Sequence, residues 1–181
     1  MIGIDEVGRG SWAGPLVVCA ARLNKPINGL KDSKLLSKKR REELFVHIEK
    51  NCDIGVGWVS ADEIDDIGLS AALYYAAGCA LAELSPTSEE VVIDGSIQLL
   101  PAYEASTVRI KADNTVPAVS AASIYAKVIR DNWMCSQDSI YDAYDFWHNV
   151  GYGTLRHRKA IEQYGITPLH RTSFSLPSRI V

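Results

Sequence analysis

Residues 2–15 read Ile2-Gly3-Ile4-Asp5-Glu6-Val7-Gly8-Arg9-Gly10-Ser11-Trp12-Ala13-Gly14-Pro15: an apolar start, two adjacent acids, then an arginine set between glycines. The apolar residues predict a short strand over 2–7, and residues 15–23 predict a second strand antiparallel to it, joined through the Gly-Arg-Gly turn. Asp5 and Glu6 fall where the strand gives way to the turn, a usual place for side chains that bind a cation. Gly8 and Gly10 carry no side chain, so the backbone beside Arg9 can come close to a ligand. An acid pair, bare backbone and a guanidinium within six residues point to a metal site that handles phosphate. A hairpin with a merely polar turn is the alternative this stretch leaves open.

The rest of the chain limits the possibilities. Its 181 residues, 47% of them hydrophobic, suffice for one domain spanning 1–181 with a real core. No signal peptide is expected, because the first strand begins at Ile2 and carries acids. No apolar run approaches the roughly 20 residues needed to cross a bilayer. Cys19, Cys52, Cys79 and Cys135 form no Cys-x-x-Cys pair and are expected as thiols of a reduced compartment, which points to the cytoplasm. The net charge of −3 does not announce a nucleic-acid binder, but the distribution of charge matters more than its sum. Residues 31–41 hold six bases against one acid, and Arg156, Arg158, Lys159, Arg171 and Arg179 make the C-terminal segment basic. Each run, taken singly, is more often only a solvated face.

The periodicity is that of an α/β fold. Helices are expected over Ser37–Glu49, from Ser60 through Leu84, and from Pro117 to Asn132; further strands are expected at 54–60, 91–93 and 107–111. Ser60 and Glu63 have capping-box spacing, and Pro117 is permitted in a first helical turn. Asp94 closes one strand as Asp5 and Glu6 close another, and Asp113 follows the next. Converging carboxylates repel one another unless a cation lies between them, and hard divalent ions take oxygen ligands. One difficulty is geometric: successive strand residues point to opposite faces, so Asp5 and Glu6 share a site only if the strand twists, bulges or ends there. On the Pro117 helix, Ser120, Ser123, Lys127 and Arg130 fall on one face, suited either to a phosphate backbone or to solvent.

These motifs together resemble ribonuclease HII, the bacterial-type type 2 ribonuclease H. The matching stretches are Gly3 to Gly10 with Ala13-Gly14-Pro15; Asp32-Ser33-Lys34; Glu63-Ile64-Asp65; Asp94-Gly95; Lys111-Ala112-Asp113; Ala121 to Lys127 with Arg130-Asp131; Gly151-Tyr152-Gly153-Thr154 with His157; and His170-Arg171 with Ser173-Phe174. They occur in the family's order over nearly the whole chain.

The resemblance implies a ribonuclease H-like fold, a five-stranded mixed sheet flanked by helices, with a helical segment over about 136–181 completing the substrate cleft. It also implies an endonuclease that cuts RNA in RNA–DNA hybrids and nicks 5′ of ribonucleotides embedded in duplex DNA, leaving a 3′-hydroxyl and a 5′-phosphate. By position, Asp5, Glu6, Asp94 and Asp113 match the family's metal-binding carboxylates, which hold two divalent ions, Mn²⁺ or Mg²⁺. Gly8, Arg9 and Gly10 match the element that reads the ribonucleotide, and Tyr152 the ring that stacks on the deoxyribose beyond it. Ser33, Lys34, Ser123, Lys127 and the C-terminal basic segment would follow phosphates. A monomer is expected, without membrane association.

Where family members often place a lysine before the Gly-Tyr-Gly motif, this chain has His148-Asn149-Val150. Neither an added N-terminal substrate-binding domain nor a C-terminal clamp-binding extension is expected. His47, His148, His157 and His170 are read as packing, capping or phosphate contacts, because a carboxylate site for hard ions has little use for imidazole. The four tryptophans are read as core or rim, with Trp12 the one to watch beside the turn. The rival readings are another ribonuclease H-like nuclease, such as a junction resolvase, and a hybrid-duplex binding module that does not cut.

Overall fold

The computed structural model describes residues 1–178, so Arg179 lies outside the described residues. Strand β1 (Ile2–Val7) pairs antiparallel with β2 (Leu16–Leu23), which pairs antiparallel with β3 (Cys52–Val59). On its other side β1 runs parallel to β4 (Val91–Asp94), and β4 parallel to β5 (Ser106–Arg109). The strand order is therefore β3-β2-β1-β4-β5, the five-stranded mixed sheet that the resemblance implies, with the acid-bearing strand in the middle.

Strand alternation divides the core into two layers. Ile2, Ile4, Leu16, Val18 and Ala20 pack under α3 (Leu69–Glu83), while Val17, Cys19 and Ala21 pack against α1 (Lys38–Asn51) and α4 (Pro117–Gln137). Helix α4 rests directly on the central strand: a Cβ at Gly3 would stand 2.1 Å from the Val119 nitrogen.

Several expected boundaries move, three of them with consequences. The helix expected from Ser60 through Leu84 is two helices, because Gly68, at φ 80°, ends α2 (Ala61–Ile67) before α3 begins; the Ser60–Glu63 capping box forms as expected. Strand β5 stops at Arg109, and Lys111, at φ 60°, turns the chain into a short 3-10 turn, Ala112–Asn114. Helix α4 runs on to Gln137, where its side chains still find partners in the C-terminal segment. That segment is helical only in part, at α5 (Phe146–Asn149) and α6 (Leu155–Tyr164), and packs as a small cluster around Ala13, Met134, Phe146 and Ile161. All four cysteines are free, and among the described residues no helix is long and apolar enough to cross a membrane.

Candidate active site

The two acids of β1 stay on opposite faces. The register with β2 continues unbroken through Val7, so no bulge brings Asp5 and Glu6 together. Asp5 faces α4, where Ser123 hydrogen-bonds it, and Glu6 lies on the α3 side, lining a small cavity with Leu73 and Asp94. What joins them is the neighbouring strand. The pairing of β1 with β4 ends at Ile4–Ile93, and in the opening beyond it Asp94 approaches both.

Asp94 is fixed by the Ala112 N–H, which it accepts at 2.7 Å. The same 3-10 turn carries Asp113 inward; Ser120 Oγ anchors it by donating to the Asp113 carbonyl at 2.6 Å. One carboxylate oxygen each from Asp5, Asp94 and Asp113 then lie within 4.8 Å of one another. Glu6 stands beside this group rather than in it.

Burial, reinforced by Glu6 and Asp94, pushes the Asp5 carboxyl up to about 7, against the lowering effect of Ser123. Burial and Asp94 likewise raise Glu6, although Arg9 and Lys34 pull it back. Asp113 is raised by burial, Asp94 and Asp32. Burial alone would lower the pKa of Lys34, yet Asp32, Asp5, Asp113 and Asp94 around it hold its ammonium above the ordinary value. An all-oxygen group of crowded carboxylates fits a hard divalent cation, which would relieve the repulsion that the protein alone only partly screens.

Asp5 and Glu6 open onto a cavity of about 430 Å³ lined also by Gly8, Arg9, Gly10, Ser33, Lys34, Ser123, Lys127 and Tyr152. Gly8, Arg9, Gly10, Ser33, Lys34, Ser123, Lys127 and Tyr152 therefore share one space with two of the four acids, whereas the described C-terminal basic residues do not line it. Gly8, at φ 87°, is required by the fold, since a Cβ there would lie 2.3 Å from Arg130 Nε and 2.6 Å from the Pro15 oxygen. Gly10 is not: no atom of the described residues lies within 4 Å of its missing Cβ, which leaves the space beside it open to them. Ser33 and Ser123 are joined at 3.0 Å, and Lys127 Nζ lies 5.8 Å from the Tyr152 ring and 3.0 Å from Asp131.

The basic residues sort differently from their sequence pattern. Arg130, expected on the phosphate-facing stripe of α4, is wholly buried and donates to Pro15 O, Ala13 O, Val150 O and Ser11 Oγ. Arg171 is also buried and donates to the carbonyls of Arg9 and Gly14. These two guanidiniums brace the turn from behind instead of meeting phosphate. Arg41 likewise turns inward, to the Ser33 and Leu36 carbonyls. Arg156 pairs with Asp145 at 3.3 Å, and Arg158 lies over the Trp12 ring. Trp12 itself packs against His157 and the backbone at Gly153, so it is a wedge between the turn and the Tyr152 segment.

Sequence reading assigned no placement to Asp32, which accepts the Lys34 N–H at 2.8 Å and stands close to Asp113. Nor did it find the His157–His170 contact. Both were visible only as members of motifs.

A protein-family model described as Ribonuclease HII matches residues 2–176. A ribonuclease HII of Campylobacter concisus is 44% identical over 98% of this chain and 94% of its own length; one of Coxiella burnetii is 43% identical over 95% and 86%. Among solved structures, the ribonuclease HII of Archaeoglobus fulgidus, in complex with PCNA, superposes with a TM-score of 0.84 at 28% identity, covering 98% of this chain and 96% of that one. The ribonuclease H2 of Pyrococcus horikoshii does so at 0.73 and 28%, covering 96% and 93%.

Proposed function

This chain belongs to the ribonuclease HII family and is a ribonuclease H enzyme, and from that premise we propose that it hydrolyses the RNA strand of RNA–DNA hybrids and nicks 5′ of ribonucleotides embedded in duplex DNA, leaving a 3′-hydroxyl and a 5′-phosphate. The observation that carries this reading is the shared cavity, lined by Asp5 and Glu6 together with the Gly8-Arg9-Gly10 turn and Tyr152.

Asp5, Asp94 and Asp113 would hold one divalent ion, Mg²⁺ or Mn²⁺, and Glu6, across β1 from Asp5 and next to Asp94, would help hold a second. The chemistry that such ions supply is activation of a water and stabilisation of the departing oxygen. The side chains around them position the substrate. Only a 2′-hydroxyl separates the two sugars, so recognition needs polar backbone able to reach it, and the open space at Gly10 allows that approach. Tyr152 offers a ring face to the next sugar, where lack of the hydroxyl permits close stacking. Arg9, Lys34 and Lys127, with Ser33 and Ser123, would hold the flanking phosphates.

The test is nicking of a duplex with one embedded ribonucleotide, beside an RNA–DNA hybrid and an all-DNA control, with Mg²⁺ or Mn²⁺ and with EDTA. Cleavage is expected of the first two substrates only, and only with metal. Cutting of the all-DNA duplex would favour a junction-type nuclease, and binding without cutting would favour a recognition module.

A further inference from the structure

His157 and His170 are the two buried histidines, 0% and 1% exposed, and their Nε2 atoms meet at 3.0 Å. Their hydrogen bonds fix where each proton sits. His157 Nδ1 lies 3.0 Å from the Tyr152 carbonyl oxygen, which can only accept, so Nδ1 carries the hydrogen and Nε2 is bare. His170 must then donate from Nε2. Its Nδ1 is left to accept from the Thr167 N–H and Oγ1, both at 2.9 Å. Burial lowers the pKa of both rings, His170 to about 4 with His157 adding to the effect, so both are neutral at physiological pH. Trp12, Tyr144 and Phe146 pack around them.

The chain of bonds joins two parts of the site that are remote in sequence. At one end is the carbonyl of Tyr152. At the other, His170 forms an antiparallel bridge with Ala13, and the next residue, Arg171, binds Trp12 O, Gly14 O and Arg9 O. We propose that the His157–His170 pair is a positioning latch that holds Tyr152 at a fixed spacing from the Gly8-Arg9-Gly10 turn, so that one ribose and the following deoxyribose are read together. This rests on the reading of Tyr152 given above. Neither histidine touches substrate. Two apolar side chains could fill the same volume, but among the described residues they would leave the Tyr152 carbonyl hydrogen-bonded by the Thr154 N–H alone.

The experiment compares His170→Phe, which keeps a ring but removes the donor, with His170→Gln, whose amide N–H can still reach His157 Nε2. Steady-state kinetics on the single-ribonucleotide duplex and on the hybrid are run with Tyr152→Ala in parallel, alongside thermal melts. In His170→Phe, kcat/KM on the single-ribonucleotide duplex is expected to fall at least tenfold, mainly in kcat, with a loss several-fold smaller on the hybrid. His170→Gln is expected to keep the ratio between substrates within about twofold of wild type. Imidazole nitrogen NMR should show His157 protonated on Nδ1 and His170 on Nε2; the opposite tautomers overturn the latch. So does a folded His170→Phe with a wild-type ratio while Tyr152→Ala loses it, because a merely structural pair would lower the melting temperature and leave discrimination intact. Should Tyr152→Ala leave the ratio unchanged, the reading of Tyr152 itself fails. The latch, defined by what it does to Tyr152, then falls with it.

Discussion

Asp5 is a carboxylate buried beside two others, held by an environment that disfavours its charge. Its pKa of about 7 in the fold, against an ordinary 3.8, means the folded protein retains a proton that the unfolded chain releases. Below both values the group is neutral in either state and costs nothing. As pH rises from about 4 to about 7, the metal-free fold loses stability through this group, and the loss is complete above that window. Asp5→Asn removes the titration. The metal-free variant is therefore expected to match wild type near pH 4 and to exceed it by on the order of 2–4 kcal/mol at pH 8, while losing cleavage. Urea melts in EDTA at the two pH values check this, and an equal gap at both would show that Asp5 is not strained. Tyr152 lines the same cavity as Asp5 and the Gly8-Arg9-Gly10 turn. Tyr152→Ala is expected to lower nicking at a single ribonucleotide more than cleavage of long hybrids, since a long RNA tract offers register positions that need no junction; an equal loss on both would contradict the role.

Helix α4 shows why environment is harder to infer than pattern. Ser120, Ser123, Lys127 and Arg130 share a face, as their spacing indicated, yet they serve different ends. Ser120 anchors the Asp113 turn, Ser123 meets Asp5, Lys127 reaches the cavity, and Arg130 is sealed off. The covering segments, 11–15 and 146–152, come from both ends of the chain, and local periodicity carries no record of them. The same holds for Asp65, whose carboxylate accepts the N–H and hydroxyl of both Thr172 and Ser173. By contrast, strands set by alternation and caps set by adjacent residues, such as Ser60 with Glu63, were legible. The convergence of Asp5, Asp94 and Asp113 was legible as carboxylates near strand ends, although Asp5 and Glu6 lie inside β1 and do not end it; how Asp5 and Glu6 divide the site needed β4 in place. Arg130 supplies the sharpest test at this scale. Arg130→Leu strands three carbonyls and a hydroxyl in the interior and is expected to cost at least about 3 kcal/mol in denaturant melts. Arg130→Lys, lacking the planar fork, is expected to recover only part of this. A Leu variant as stable as wild type would show that the guanidinium does not brace the turn.

Over the whole molecule, an overall charge of −3 is divided so that Arg9, Lys34 and Lys127 gather at the cavity that also holds the acids. Such a surface repels a phosphate backbone at its centre and attracts it at its rim, so affinity should depend on both a cation at the carboxylates and the rim charges. If each of the three basic side chains meets one phosphate, log affinity should fall against log salt with a slope of about −3. Asp94→Asn, expected to bind without cutting, allows the measurement on intact hybrid with a divalent ion present. Lys127→Ala in that background should weaken binding and flatten the slope by about one, because a phosphate contact is lost, not a base or sugar contact. A slope near zero, or one unchanged by loss of Lys127, would place the duplex elsewhere on the surface. Wild type should also melt several degrees higher with Mn²⁺ or Mg²⁺ than in EDTA, and Asp94→Asn should lose most of that gain, since an ion that binds only the folded carboxylates stabilises by mass action. An equal rise in both proteins would mean that the ion acts outside the carboxylate group.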